Sequence, residues 1–240
     1  MKLLVVIPHY NHPQTIAYVV GEMRSHGWPV LVVDDGSDET AKAVLHAVAE
    51  ADAQVQIVWR AHNGGKGAAV KDGLQAAFDQ GYSHVLQVDA DAQHQLSDAL
   101  SLVAAAKSQP EAVVCAEPIY GDDAPKARLY GRQLTNFWVW VNTGSRAIRD
   151  GMCGFRVYSL AAVMPVLAHA KMGNRMDFDA DILVRLVWAR VPLLWLPTPV
   201  RYAADGVSHF QAWRDNFLIA KMHARLFFIM VWRWIRHGSR

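Results

Sequence analysis

Short runs of apolar residues alternate with longer amphipathic segments through the first half of the chain. The apolar runs have the length and β-branched content of strands that are buried on both faces, and they cover residues 3–8, 30–35, 55–59, 84–89 and 112–117. The segments between them have helical spacing and cover residues 15–26, 38–50, 66–80 and 97–108. This alternation predicts βαβ units, and therefore an α/β fold with a mainly parallel central sheet and helices on both faces.

The second half of the chain has a looser pattern. Residues 128–148 and 178–188 have helical spacing, and residues 153–158 and 191–202 have the composition of further strands. Residues 209–235 form a basic, aromatic and amphipathic segment that predicts a long helix. A length of 240 residues suits one sizeable core. We therefore expect one domain over residues 1–210, followed by a C-terminal amphipathic helix over residues 211–240.

Composition removes several classes of protein from consideration. Hydrophobic residues make up 52% and charged residues 19%, which is typical of a globular protein. Lysine and arginine number 24 against 22 acidic residues, so there is no overall basic surface for nucleic acid. Cys115 and Cys153 lack metal-ligand spacing. No segment reaches the roughly 18 apolar residues of a membrane span. We expect a cytoplasmic protein.

Polar clusters follow the ends of the predicted strands. They are Pro8-His9-Tyr10-Asn11, Asp34-Asp35-Gly36-Ser37, Asn63-Gly64-Gly65-Lys66-Gly67 and Asp89-Ala90-Asp91. In open α/β sheets, ligands bind in the crevice beyond the carboxyl ends of the strands. The clusters therefore predict a single ligand site at that edge.

The most specific of these clusters is the pair of carboxylates at Asp89 and Asp91. In extended backbone, side chains at positions i and i+2 point the same way, so the two acids can address one centre. Mg²⁺ and Mn²⁺ take oxygen ligands, often one or two carboxylates together with substrate phosphates. The pair therefore predicts a Mg²⁺ or Mn²⁺ site, with a turn-capping role as the structural alternative.

The other clusters suit a nucleotide. The ring of Tyr10 can stack on a base, and Asp34 or Asp35 can accept hydrogen bonds from base or ribose. In the glycine loop the backbone can approach an anion closely, and Lys66 adds a positive charge. The P-loop pattern and the dinucleotide-binding glycine trio are both absent from the sequence. A nicotinamide-dependent oxidoreductase is therefore disfavoured.

These four motifs, in this order and spacing, resemble those of the family 2 glycosyltransferases with the GT-A fold. The resemblance is closest to the polyprenyl-phosphate branch, which includes dolichyl-phosphate-mannose-synthase-like enzymes. The later runs 152–158, 176–179 and 206–210 resemble a bacterial subgroup associated with lipid, polysaccharide or aryl-polyene assembly. The resemblance implies a Rossmann-like nucleotide-binding half and an inverting, metal-dependent transfer of sugar from a UDP- or GDP-linked donor, in the assembly of cell-envelope glycans or lipids.

The resemblance also implies roles for individual residues. Asp89 and Asp91 would contact the metal and the donor diphosphate, with His209 as a third metal ligand. The nucleotide-sugar pocket would contain Pro8, Tyr10, Asn11, Asp34, Asp35, Lys66 and the Asp89-Ala90-Asp91 motif. Arg128, Arg132 and Arg156 would bind an acceptor phosphate, with Arg156 also in the catalytic group. Ala92 stands where close relatives often carry glycine, a departure for which we expect no chemical cost.

Two acceptor chemistries remain open. A hydroxyl acceptor needs a general base, for which Asp179 and Asp181 are the candidates. A lipid phosphate is already an anion at neutral pH and needs only arginines to orient it. The alternatives to glycosyl transfer are nucleotidyl transfer and a non-catalytic protein on a similar scaffold.

The C-terminal segment predicts contact with a membrane surface. It interleaves basic and aromatic residues and contains one acid, Asp215, within residues 213–240. This is the profile of a helix lying in the plane of an anionic leaflet. We expect peripheral attachment to the inner face of the cytoplasmic membrane, with packing against the domain as the alternative.

Overall fold

The computed structural model describes residues 1–121, 126–200 and 211–237. Seven strands form one sheet in the order β3-β2-β1-β4-β6-β5-β7. They are β1 Leu3–His9, β2 Val30–Asp34, β3 Val55–Trp59, β4 His84–Gln87, β5 Val113–Tyr120, β6 Arg156–Ser159 and β7 Leu193–Val200. Strands β1 to β4 pair in parallel, as do β5 and β7. The predicted mainly parallel sheet is confirmed.

Strand β6 is the exception, since it is antiparallel to both β4 and β5. The residues just before β6 return along the preceding helix, since Asp150 pairs with Arg132 and the N–H of Gly151 donates to Oδ1 of Asn136, and the chain enters β6 from the carboxyl edge and runs back. This direction was not predicted. It places the segment before Arg156 beside the loop that carries Asp89.

Eight α-helices surround the sheet in the described part of the chain. They are α1 Ile16–Ser25, α2 Glu39–Ala51, α3 Lys66–Asp79, α4 Ala99–Ser108, α5 Lys126–Thr143, α6 Leu160–His169, α7 Phe178–Trp188 and α8 Ala212–His237. Helix α5 ends five residues before its predicted end, because Gly144 adopts a φ of +61°. Helix α6 had no counterpart in the sequence-based prediction.

The sheet separates two cores, one on each face. Along β1, Leu4 and Val6 belong to one cluster of buried residues, whereas Leu3, Val5 and Ile7 belong to the other. This is the alternation expected of a strand buried on both sides. The first cluster contains residues of α3, α5, α6, α7 and α8, and the second contains residues of α1, α2 and α4.

Helix α8 packs through one face only. Ile219, Met222 and Leu226 are buried in the first core, at the spacing of a helical stripe. The predicted C-terminal amphipathic helix is therefore present. The predicted domain boundary at residue 210 lies outside the described residues. No described helix is long and apolar enough to cross a bilayer.

Candidate active site

A cavity of about 960 Å³ lies at the carboxyl edge of the sheet. Its lining comes from the loops after β1, β2, β3 and β4 and, at the rim, from the N-terminal halves of α5 and α8. Predicted site residues that line it are Pro8, Tyr10, Asp35, Lys66, Asp89, Ala90, Asp91 and Arg132. The fold thus brings together residues from every polar cluster found in the sequence.

Asp89 and Asp91 reach this cavity from a turn. Strand β4 ends at Gln87, and Ala90 and Asp91 form a turn, so the two carboxylates do not follow from the extended geometry assumed above. The Oδ1 atom of Asp91 accepts a hydrogen bond from the backbone N–H of Gln93 at 3.1 Å. Burial, and then the charge of Asp89, raise the pKa of the Asp91 carboxyl. The two acids therefore share one polar corner of the cavity and repel each other.

Lys66 compensates part of this negative charge. Its Nζ atom lies 2.9 Å from the Asp89 carboxylate and 3.1 Å from Oδ2 of Asp179. Burial lowers the pKa of Lys66, but the carboxylates of Asp179 and Asp89 outweigh burial and hold that pKa above its ordinary value. Burial likewise raises the pKa of Asp89, and Lys66 and His94 together bring it below the usual range. Lys66 is thus a fixed cation and Asp89 a fixed anion.

The donor set at this corner fits a hard divalent cation. Asp89, Asp91 and Gln93 offer carboxylate and amide oxygens along one wall, which suits Mg²⁺ or Mn²⁺ when substrate phosphates and water complete the shell. In the described part of the chain, no three His, Cys, Asp or Glu side chains are grouped to hold a metal by themselves. His209, the predicted third ligand, lies outside the described residues.

Asp34 and Asn11 are turned away from the cavity. The Asp34 carboxylate accepts hydrogen bonds from the backbone and hydroxyl of Ser37 and lies 3.0 Å from Nδ1 of His9. Burial raises the pKa of Asp34, and the bonds from His9 and Ser37 lower it further than burial raises it. Asn11 Oδ1 accepts from the N–H of Asp38. Both residues hold the β1 and β2 loops together, so a direct contact with nucleotide has no support in this arrangement.

Asp35 lines the cavity and also organises the glycine loop. Its carboxylate accepts the N–H groups of Gly64 and Gly65 at 2.9 and 2.7 Å, and it pairs with Arg60. The N–H of Ala68, in the first turn of α3, donates to the carbonyl of Asn174 at 2.9 Å. These backbone N–H groups are therefore already hydrogen-bonded within the protein and do not bind a ligand. The charged group that the loop presents to the cavity is Lys66.

The two candidate bases lie outside the cavity lining. Asp181 is fully buried and pairs with Arg185 at 2.6 Å and with Arg225, which fastens α8 to α7. Asp179 is 2% exposed, and its carboxylate forms an ion pair with Lys66. Neither carboxylate faces the space where a sugar would react, which argues against a general-base role for either.

Of the three predicted acceptor-binding arginines, only Arg132 is seen at the cavity. It pairs with Asp150 at 2.6 Å and stands over the ring of Tyr120. Arg156 is fully buried, and its Nη1 atom donates to the Asp179 carbonyl at 3.0 Å, so it braces Asp179 from within. Arg128 falls in α5, but its side chain lies outside the described part.

Sequence reasoning missed several cavity residues. Arg175 and Arg214 line the cavity and add positive charge to it. Gly154 lies over the ion pair, since a Cβ atom there would stand 2.6 Å from Lys66 Nζ. In the sequence, Gly154 belongs to the run of residues that resembles the bacterial subgroup, which is the signal that could have identified it. Its contact with Lys66 and Asp89 becomes visible only in the structure, because β6 runs antiparallel to β4.

Ala92 corrects another expectation. It has a φ of +56°, a left-handed conformation that an alanine adopts only at an energetic cost. Alanine in place of glycine therefore carries backbone strain beside the Asp89-Ala90-Asp91 turn, contrary to the expectation of no cost.

Comparison with known proteins gives consistent results. Residues 4–163 match the family described as "Glycosyl transferase family 2". A polyprenol monophosphomannose synthase of Mycolicibacterium smegmatis is 29% identical over 214 residues, covering 86% of this chain and 80% of the relative. A dolichyl-phosphate beta-glucosyltransferase of Trichomonas vaginalis is 30% identical over 201 residues, covering 75% of this chain and 59% of the relative.

A solved structure supports the fold. Glucosyl-3-phosphoglycerate synthase from Mycobacterium tuberculosis, crystallised with Mn²⁺ and UDP-glucose, superposes with a TM-score of 0.69. The sequences are 14% identical, and the match covers 95% of this chain and 78% of that one. At this identity the likeness establishes the GT-A architecture alone.

Proposed function

Because the chain belongs to glycosyl transferase family 2 and is therefore a glycosyltransferase, we propose that it moves a sugar from a nucleotide-diphosphate donor to a lipid phosphate. The family decides against the alternatives of nucleotidyl transfer and of a protein without catalysis. The observation that carries the proposal is the single cavity wall on which Asp89, Asp91 and Lys66 meet.

The donor half of the proposal rests on the charges of that wall. When the bond between sugar and nucleotide breaks, negative charge accumulates on the departing diphosphate. A bound Mg²⁺ or Mn²⁺, held by Asp89 and Asp91, would supply Lewis-acid stabilisation of several kcal/mol there. Lys66 is fixed in place by two carboxylates and adds a preorganised cation. Tyr10 and Asp35 border the space left for base and ribose.

The acceptor half rests on which charged groups face the cavity. Among the described residues, the lining contains four acids, Asp35, Asp89, Asp91 and Asp215. Asp35 is occupied by Arg60 and two backbone donors, and Asp215 accepts the N–H of Gln211 at the start of α8. With Asp89 and Asp91 assigned to the metal, the described part of the lining has no carboxylate left to deprotonate a hydroxyl.

A phosphate acceptor requires no base, and the rim of the cavity suits it. Arg132, Arg175 and Arg214 stand on the lining and can orient an anionic nucleophile opposite the donor. Attack on the anomeric carbon from the face opposite the leaving group inverts its configuration, as proposed from the family. The names of the two relatives, a polyprenol monophosphomannose synthase and a dolichyl-phosphate glucosyltransferase, support the same class of acceptor.

The rim also suits contact with a membrane. Tyr130 and Leu134 on α5 are 69% and 61% exposed, and Trp213 and Phe217 on α8 are 94% and 68% exposed. These helices contribute Arg132 and Arg214 to the cavity, so the apolar side chains stand beside its mouth. Exposed aromatic residues next to arginines suit the boundary between headgroups and acyl chains. We place the protein on the inner face of the cytoplasmic membrane, where its lipid substrate would enter the cavity directly.

A thermal-shift series tests the donor site. UDP- and GDP-sugars are screened with Mn²⁺, with Mg²⁺ and with EDTA, since a ligand that binds only the folded protein raises its melting temperature. We expect one donor to give a metal-dependent shift that Asp91→Ala abolishes. Asp79→Ala, an exposed acid on α3, is the matched control and should keep the shift. Identical shifts with EDTA and in Asp91→Ala would refute the metal site.

Two further assays test acceptor and membrane. Sugar transfer is measured to a polyprenyl phosphate and to the corresponding polyprenol, and product from the alcohol alone would overturn the acceptor proposal. For the membrane, Trp213→Ser/Phe217→Ser is compared with Tyr18→Ser/Phe78→Ser, which removes exposed aromatic rings elsewhere on the surface. Only the first pair should reduce sedimentation with vesicles, and equal effects of both pairs would contradict the proposed face.

A further inference from the structure

A second cavity, of about 410 Å³, lies where α5 and α7 end and β7 begins. Three arginines, Arg146, Arg149 and Arg190, contribute to its lining, together with Trp195. Within the described part of the chain, that lining includes no acidic side chain. Neither the sequence motifs nor the proposed reaction uses this arginine pocket.

The arginines are not needed to cap the helices beside them. Side chains of basic residues often gather at helix C-termini, where carbonyl groups lack intrahelical partners. Here the last carbonyls of α7 accept hydrogen bonds from the backbone N–H groups of residues 189–191. The last carbonyls of α5 accept from Thr143, Gly144 and the indole of Trp188. Helix capping therefore does not explain the convergence of guanidinium groups.

Arg190 stands in a position where its backbone is strained. The N–H of Arg190 donates to Val187 and the N–H of Val191 donates to Leu186, which is the Schellman pattern. Arg190 occupies the left-handed position of that motif with a φ of +60°, where glycine is usual. A long cationic side chain held at such a position has an energetic cost, and strain of this kind is concentrated at functional sites.

The other two guanidinium groups also remain available to a ligand. Arg149 pairs with Glu117 at 2.7 Å, but both side chains are more than a third exposed, so water competes with the pair. Arg146 lies over the ring of Trp140, at 5.2 Å from its centroid, and a stacked guanidinium keeps donors at its edge. Three cations thus line one pocket, and the Glu117 carboxylate pairs with one of them.

We propose that this arginine pocket binds the phosphate of an anionic membrane lipid headgroup. We infer a phosphate group because the forked N–H donors of arginine match the geometry of phosphate oxygens. We infer a lipid as the source of the phosphate because the C-terminal part of α8 lies beside the pocket. Arg233 of this helix packs over the ring of Trp188, which is adjacent in sequence to Val187 of the pocket lining. Beside Arg233, the side chains of Trp232, Trp234 and Ile235 are 52–70% exposed. The lipid source rests on the proposed membrane-facing function, whereas the phosphate chemistry does not.

The test removes two of the pocket's three arginine charges by substitutions chosen to keep the fold intact. Arg190→Gly relieves the positive φ, so it should keep or raise the melting temperature. It is combined with Arg146→Gln and compared with Lys107→Gln/Lys171→Gln, which removes the same charge from exposed lysines outside the pocket. Partition onto phosphatidylglycerol vesicles should fall on the order of thirtyfold in the arginine variant, at about 1 kcal/mol per basic residue. The lysine variant should lose no more than about threefold by general electrostatics.

The remaining arms separate the possible outcomes. Equal losses of vesicle binding in both variants, or no loss in the arginine variant, would overturn the proposal that this pocket binds a lipid phosphate. Stabilisation by inorganic phosphate that the arginine variant loses, without any binding to vesicles, would assign the pocket to a free phosphate and overturn the lipid source. The donor thermal shift should be unchanged in the arginine variant, because the pocket and the active-site cavity have no described lining residue in common. Failure of the wild-type protein to show any donor shift would count against the proposed function and not against this pocket.

Discussion

A substitution at Gly154 provides the most direct test of how Lys66 and Asp89 are packed in the active site. A methyl group at this position would stand 2.5 Å from Gln87 Nε2, 2.6 Å from Lys66 Nζ and 2.8 Å from Asp89 Oδ1. Ordinary contact begins at 3.4 Å, so Lys66 Nζ would have to recede by about 0.8 Å. The ammonium group has little room to do so, because Asp179 and Asp89 hold it from two sides.

The size of the effect follows from that displacement. A misplacement of about 1 Å in a catalytic constellation can cost a factor of roughly 100 in rate, equivalent to about 2.7 kcal/mol of transition-state stabilisation. We therefore expect Gly154→Ala to lower kcat on the order of 100-fold. The metal-dependent thermal shift by the donor should weaken as well, since Asp89 is displaced together with Lys66.

Gly151→Ala is the matched control, three residues earlier in the same loop. Its new methyl group would meet Ala180, Val139 and Thr135 at 3.5–3.6 Å, which is ordinary contact. Steady-state kinetics and thermal melts of both variants separate local displacement from general unfolding. If Gly154→Ala retains activity within threefold of wild type, or if Gly151→Ala loses as much, the assigned packing of Lys66 and Asp89 is incorrect.

Three further outcomes can be measured on the purified protein. Asp181→Asn leaves the largely buried Arg185, together with the partly exposed Arg225, without a carboxylate partner and should lower the free energy of unfolding by about 3 kcal/mol in urea titrations; an intact protein that instead loses the acidic limb of its pH–rate profile would restore Asp181 as a base. Ala92→Gly relieves the strain of a positive φ and should raise the melting temperature by about 2–4 °C, for a gain near 1 kcal/mol; a lower melting temperature would show that the position is not strained. Burial lowers the pKa of His223 to about 4 from 6.5. The unfolded chain therefore takes up a proton that the folded chain does not, so stability is complete above pH 6.5 and falls as the pH drops to 4, by up to about 3 kcal/mol. His223→Leu should flatten that limb of the stability curve, and an unchanged slope would rule out His223 as its source.

The sequence alone was sufficient to identify the sheet, most of its helices and the edge that carries the site. Periodicity specifies which face of an element is buried, and this is a local property of residues such as those of β1, which alternate between two cores. The polar residues at strand ends were equally accessible, because a parallel sheet brings its carboxyl ends to one edge whatever the connections are. Asp89, Asp91, Lys66 and Asp35 were predicted on that basis, and all four line the cavity.

What the sequence left open were choices between adjacent side chains and between partners distant in the chain. Asp34 and Asp35 are neighbours of the same type, yet one faces Ser37 and the other faces the cavity. Asp181 appeared as a base because nothing local revealed Arg225, which lies 44 residues away.

The arginine pocket was hidden for the same reason, since Arg146 and Arg190 meet only once α5 and α7 end side by side. A side chain's chemistry is encoded by its own residue, and periodicity along the chain encodes which elements form. The groups that surround a side chain are fixed only when the elements pack, and those groups decide whether a carboxylate binds substrate, braces a lysine or anchors a helix.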